Sequence, residues 1–167
     1  MKNDQALVKA SDFPLALALL TRLPVHVHSF ERGAKAAWAY PLVGLLTGGL
    51  AGLAGLAGLW AGLAAPLSAL ISLFILTITT GAMHEDGLAD TADGLWGGWD
   101  RDRRLEIMKD SHIGTYGVIA LLLSFSARWA AIWAVFEIGP ATALTALLVA
   151  PMLSRATMPA LMASLPH

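Results

Sequence analysis

Four apolar runs separated by polar breaks organise the chain, at about 41–63, 66–83, 113–136 and 141–163. A hydrocarbon core of about 30 Å takes roughly 17–25 helical residues at about 1.5 Å each. The pattern predicts an all-α, polytopic integral membrane helical bundle with about four transmembrane helices. One membrane-embedded domain over 1–167 accounts for it. Ahead of the first run, 11–24 reads as a short helix, with Ser11 or Asp12 as its cap, Pro14 in its first turn and Pro24 as its stop. It is too short to span, so it is expected to be interfacial or re-entrant. Residues 1–10 are polar and expected to be loose, and 26–35 reads as a polar connector. The N-terminal stretch does not follow a cleavable signal pattern, so insertion is expected through the internal helices.

The first run carries Gly44, Gly48, Gly52, Gly55, Gly58 and Gly62 at three- and four-residue spacing. Such a face predicts close approach of another helix. The turn around Ala64 and Ala65 is very short, so the first two runs form an antiparallel hairpin.

Composition agrees with a lipid solvent. Only 14% of residues are charged, well under the roughly 25% of an ordinary soluble domain, and mean hydropathy is +0.63. A net charge of −1 gives no electrostatic support for binding nucleic acid. The absence of cysteine excludes disulfides, thiolate metal sites and a cysteine nucleophile. Basic residues sit in the N-terminal region (Lys2, Lys9, Arg22, Arg32, Lys35) and in 84–112 (Arg101, Arg103, Arg104, Lys109), and are absent from the two intervening turns. With four spans these clusters share one side, which predicts that 84–112 faces the cytoplasm.

That segment also gathers the acids. Glu85, Asp86, Asp90, Asp93, Asp100, Asp102, Glu106 and Asp110 all lie in it. Asp86, Asp90 and Asp93 stand at i, i+4 and i+7, within an arc of about 60° on one helix face. Three carboxylates on one stripe repel unless a cation sits among them, and oxygen ligands without thiols suit Mg²⁺ or Mn²⁺. Glu85 lies off the stripe and is a further metal candidate; with His84 and Asp110 it forms a second tier. The bland alternative is a solvated loop with acids at a helix start. Trp96 and Trp99 read best as interfacial anchors. A zinc-protease helix, an EF-hand, a Ser–His–Asp triad and a phosphate-binding glycine loop all fail on spacing.

Immediately downstream, Arg101, Arg103, Arg104 and Lys109 can partner phosphate oxygens, or hold the loop inside. Arg101, Arg104, Lys109, Asp110, His112, Arg22 and Arg155 are the candidate substrate-binding residues. Arg128 and Arg155 fall inside apolar runs, where charge is costly and usually functional or paired. Arg155 is placed to reach an anion; Arg128 is expected to be structural, with Glu137 as partner. Gly114 and Gly117 allow close backbone approach at the entry to the third run.

The stretches "LTRLPV", "YPLVGLLTGG", "GAMHEDGLADTADG", "GGWDRDRRLEIMKDSHIGTYG" and "PMLSRATM" together resemble the cobalamin synthases, the adenosylcobinamide-GDP ribazoletransferases. The resemblance covers about 13–160. It implies a Mg²⁺-dependent enzyme of the bacterial inner membrane that joins adenosylcobinamide-GDP to α-ribazole or its 5′-phosphate and releases GMP. It also implies further helices beyond "MASLPH", so the chain is expected to be C-terminally short. On this reading Asp86, Asp90 and Asp93 are the catalytic and metal-binding acids, with Asp93 preferred as proton acceptor. Self-association is left open. The alternatives are a CDP-alcohol phosphotransferase, whose acidic motif has a further aspartate where this chain has Gly97, and a metal-ion transporter, which would need carboxylates deep in several spans.

Overall fold

The apolar runs fold as helices and the polar segment does too. The structure, a computed structural model, describes residues 6–165; the expected looseness of 1–10 therefore lies partly outside the described residues. Helix α1 (Asp12–Leu20) is followed by a 3₁₀ helix (Gly33–Ala39) that runs directly into α2 (Tyr40–Trp60). Then come α3 (Ala65–Thr80), α4 (Met83–Gly97), α5 (Arg101–Lys109), α6 (Thr115–Ile138) and α7 (Pro140–Ser164). No strand occurs among the described residues.

Three helices are long and apolar enough to cross a membrane: Gly33–Trp60, Thr115–Ile138 and Pro140–Ser164. The second expected span differs. Helix α3 stops at Thr80 after 16 residues, about 24 Å, and α4 leaves it at 85°. The pair is one broken element, and the bend has a local cause. Gly81 and Ala82 both adopt left-handed conformations (φ 64° and 56°). Gly81 N–H donates to Ile78 O at 3.1 Å and Ala82 N–H to Thr77 O at 3.0 Å, which closes the last carbonyls of α3 in a Schellman arrangement.

The glycine face does what its spacing predicts from Gly44 to Gly58; Gly62 lies beyond α2, in the turn, with φ 87° and nothing within 4 Å of a Cβ there. A Cβ at Gly44 would overlap the Pro151 carbonyl, and one at Gly48 the Leu147 carbonyl oxygen. Pro151 lies inside α7 and has no N–H to donate; the carbonyl it leaves free, four residues earlier, is that of Leu147. That oxygen meets the Gly48 backbone instead. Further along, Gly55 faces α3, where the Ser72 hydroxyl donates to Ala51 O at 2.9 Å. Trp129 of α6 donates to Pro66 O at 2.9 Å and ties α6 to the start of α3. Leu56, Ala69, Phe136, Ala143 and Leu147 form the buried cluster among these four helices.

Helix α1 packs with the 3₁₀ helix and the start of α2 around Ala16, Leu17, Leu20, Tyr40 and Val43. Its cap differs from the expectation. Ser11 makes no side-chain cap; the Asp12 carboxylate accepts from Lys9 N–H at 2.9 Å. Asp12 also accepts from Arg32 Nε and Trp38 Nε1, both at 3.0 Å. The Arg32 guanidinium, then the Trp38 indole, hold its carboxyl far below the usual carboxylate range. The chain ends α1 at Leu20, ahead of Pro24, where the Thr21 hydroxyl donates back to Leu17 O at 2.7 Å.

Candidate functional site

Helix α4 carries Glu85, Asp86, Asp90 and Asp93, and the first two lie in its first turn, where the helix dipole favours negative charge. Its course is set by two ties to α6. Near its start, Glu85 Oε1 accepts from Arg128 Nη1 at 2.7 Å. Near its end, Asp93 Oδ2 accepts from Gly114 N–H at 2.7 Å and Oδ1 from Gly117 N–H at 2.8 Å. Helix α4 thus runs back along α6 from Arg128 towards Gly114.

The Asp93 contact is a helix cap supplied by another helix. Gly114 is the N-cap of α6 and has no side chain to cap with. Asp93 satisfies two N–H groups there and places negative charge at the positive end of the dipole. A Cβ at Gly114 or Gly117 would strike the Asp93 carboxylate, so the two glycines make room for that side chain. Asp93 is 7% exposed.

The three stripe aspartates therefore do not share one environment. Asp86 is exposed and Asp90 is partly buried, and neither carboxylate is engaged by a hydrogen bond among the described residues. Asp93 has both oxygens occupied by amides. Among the described residues no three His, Asp or Glu side chains gather closely enough to hold an ion. The expected three-carboxylate cage is not assembled, and Glu85 is held by Arg128 instead. Asp86 and Asp90 remain as a pair of free oxygen ligands. That donor set fits Mg²⁺, which usually takes one or two carboxylates and completes its shell with water and substrate phosphate.

The substrate-binding candidates separate into four groups. Arg22 lies over the α3–α4 elbow, its side chain packed against Gly81 and its backbone N–H donating to Thr79 O at 2.8 Å. Arg104 folds over the α4–α5 turn and donates from Nε to Gly98 O at 2.9 Å. Arg101, Lys109, Asp110 and His112 are exposed on or beyond α5. Asp100 caps α5 by accepting from Arg103 N–H at 2.9 Å, and Arg103 pairs with Glu106 at 2.7 Å. Asp110 Oδ1 and His112 Nδ1 lie 2.5 Å apart. The pair lowers the Asp110 pKa and raises that of His112, each through the hydrogen bond between them.

Arg155 is elsewhere. It is 6% exposed and lines a cavity of about 380 Å³ together with Arg128, His84 and Glu85. The sequence expectation for Arg128 is corrected here: its partner is Glu85, while Glu137 accepts from Trp133 Nε1 at 2.7 Å. Glu137 is nearer along the chain, and no periodic signal links positions 85 and 128. Only the elbow between α3 and α4 joins them.

The family description Cobalamin-5-phosphate synthase matches residues 12–167. The chain is 45% identical over 159 residues to an adenosylcobinamide-GDP ribazoletransferase of Bradyrhizobium diazoefficiens, covering 93% of the chain and 60% of that relative. It is 43% identical over 157 residues to the protein of the same name from Mesorhizobium japonicum, with the same two coverages. The Rhizobium etli protein is 44% identical over 151 residues, 87% of the chain and 58% of the relative. The chain thus spans about three-fifths of the length of these curated relatives. No solved structure matches it. With the acid-bearing α4, the basic α5 and the glycine-lined entry to α6 all inside the matched region, the chain belongs to the cobalamin-5-phosphate synthase family.

Proposed function

We propose that the chain carries the catalytic segment of an adenosylcobinamide-GDP ribazoletransferase. The carrying observation is the family match, which takes in α1 to α7 and so the whole of α4 and α5. In the reaction, the ribose 3′-hydroxyl of α-ribazole or its 5′-phosphate attacks the phosphorus attached to cobinamide. A P–O bond forms to that oxygen, the P–O bond to GMP breaks, and the hydroxyl proton passes to a carboxylate.

Asp86 and Asp90 are assigned to the substrate diphosphate, since their carboxylates are the uncommitted ones on α4. Mg²⁺, when bound by them, would supply charge neutralisation on the phosphoryl oxygens. Asp90 is the better proton acceptor than Asp93, whose oxygens already serve two amides. Asp93 is assigned to positioning: by capping α6 it fixes α4 against that helix. Arg101, Arg104 and Lys109 are assigned to neutralising phosphate charge, and Arg22 to the same end of the site from above the elbow. Preorganised charge of this kind stabilises a phosphoryl transition state without reorganisation during reaction. The segment is assigned to the cytoplasmic face of a bacterial inner membrane, on the basic-residue pattern.

The test is GMP release by membranes containing the chain, supplied with adenosylcobinamide-GDP and α-ribazole. Separate Asp86→Asn and Asp90→Asn changes are expected to lower release by about 100-fold or more, in line with loss of one transition-state contact, with membrane insertion unaltered. A wild-type chain without GMP release, or two unimpaired variants, overturns the assignment. CMP release from a lipid precursor would favour the phosphotransferase alternative, and metal flux without nucleotide the transporter.

A further inference from the structure

The cavity between α3, α4, α6 and α7 is unlike the rest of the lipid-embedded structure. Its walls are apolar, with Leu76, Ile132 and Leu147 among them, and its charged and titratable groups are Arg128, Arg155, Glu85 and His84, the last counted as neutral. Two cations face one anion, so the cavity carries one positive charge in excess. Arg128 takes Glu85 at 2.7 Å. Arg155, more than nine-tenths buried, has no ion pair or hydrogen bond among the described residues, and its buried Nε lacks a partner. Glu85, already paired with Arg128, acts on Arg155 only from beyond ion-pair distance, and a buried cation without a close counter-ion is costly in such a medium. A bound anion removes that cost.

The volume, about 380 Å³, is at the lower end for a small-molecule site, roughly 300–1,000 Å³. It suits one compact ligand with an apolar body and an anionic end. A corrinoid nucleotide is far larger. We infer that this cavity binds the acceptor nucleotide, its phosphate on Arg155 and its apolar base against Leu76, Ile132 and Leu147, an assignment that rests on the transferase reading above. The shared chemistry is a phosphate ester on an apolar body, which an anionic lipid also presents. The cavity would thus make the 5′-phosphate a determinant of acceptor choice.

The test reads binding rather than turnover. The chain, in nanodiscs of zwitterionic lipid, is titrated calorimetrically with α-ribazole and with α-ribazole 5′-phosphate. The phosphate is expected to bind at least about tenfold more tightly, the size of a charge-assisted contact of 1.4 kcal/mol or more. Arg155→Gln is expected to erase that preference and leave α-ribazole within about twofold, with Arg155→Lys retaining part of it. Ala150→Phe, which fills the cavity from α7, is expected to abolish binding of both; circular dichroism checks that each variant is folded. Equal binding of the two ligands by the wild type, or a preference that survives Arg155→Gln, overturns the inference. So does an Arg155-dependent rise in melting temperature in phosphatidylglycerol discs with no nucleotide binding, because the occupant is then a lipid headgroup. Absence of GMP release with the binding pattern intact would sink the transferase reading and not the cavity.

Discussion

At the scale of single residues, Glu85 and Arg128 show how lipid constrains charge. Glu85 is buried, its second oxygen has no partner, and the Arg128 guanidinium supplies its only neutralising contact among the described residues. Arg128 also lies 4.7 Å over the Phe125 ring. Glu85→Ala alone is expected to destabilise the chain by about 3 kcal/mol, the lower end for a broken buried pair, because the arginine side chain is 38% exposed. Adding Arg128→Met should recover part of that loss, measured by unfolding in detergent. A second residue-scale expectation concerns His112, whose pKa lies above the ordinary 6.5 because Asp110 holds its proton. A raised histidine pKa contributes stability fully below the ordinary value and loses it as pH rises through the raised one. The depressed Asp110 pKa sets the acid limit, so the pair holds between the two. Asp110→Asn should move the His112 midpoint down towards 6.5 in an NMR titration; an unchanged midpoint would exclude the pairing. The gathering of acids on α4 was legible from residue types and spacing. Asp93's part as a cap was not, because a helical wheel places three aspartates on one face without saying what that face meets.

At the scale of elements, the α2–α7 contact depends on backbone meeting backbone. Gly48→Val puts side-chain atoms where the Leu147 carbonyl oxygen sits and is expected to cost about 1–3 kcal/mol, as for an overpacked core. Gly49→Val, one residue on, meets only the Leu148 side chain at 3.4 Å and should cost clearly less. Equal losses in thermal unfolding would contradict the packing described. The glycine spacing announced a close contact, but its partner was open. Pro151 decides it, by freeing a carbonyl on α7 at the height of Gly48. The broken α3–α4 element was the least legible. Hydropathy runs on to Met83, and the bend comes from Gly81 and Ala82, which a pattern of apolar positions does not resolve.

At the scale of the whole molecule, the basic clusters predict that both polar segments share one face. The chain has no native cysteine, so single-cysteine variants report position without background. Asp102→Cys is expected to react with an impermeant thiol reagent only from the cytoplasmic side, and Ala64→Cys only from the other; labelling of both from one side would refute the arrangement. The sequence by itself determined the helical class, the lipid solvent, the glycine contact face and the segment that carries the acids, because periodicity, hydropathy and residue chemistry are local properties. Tertiary structure alone decided that Asp93 caps α6, that Glu85 rather than Glu137 meets Arg128, and that Arg155 closes a cavity. Those depend on an 85° bend that brings residues 43 positions apart within 2.7 Å, and no local pattern carries the direction of a chain after a left-handed turn.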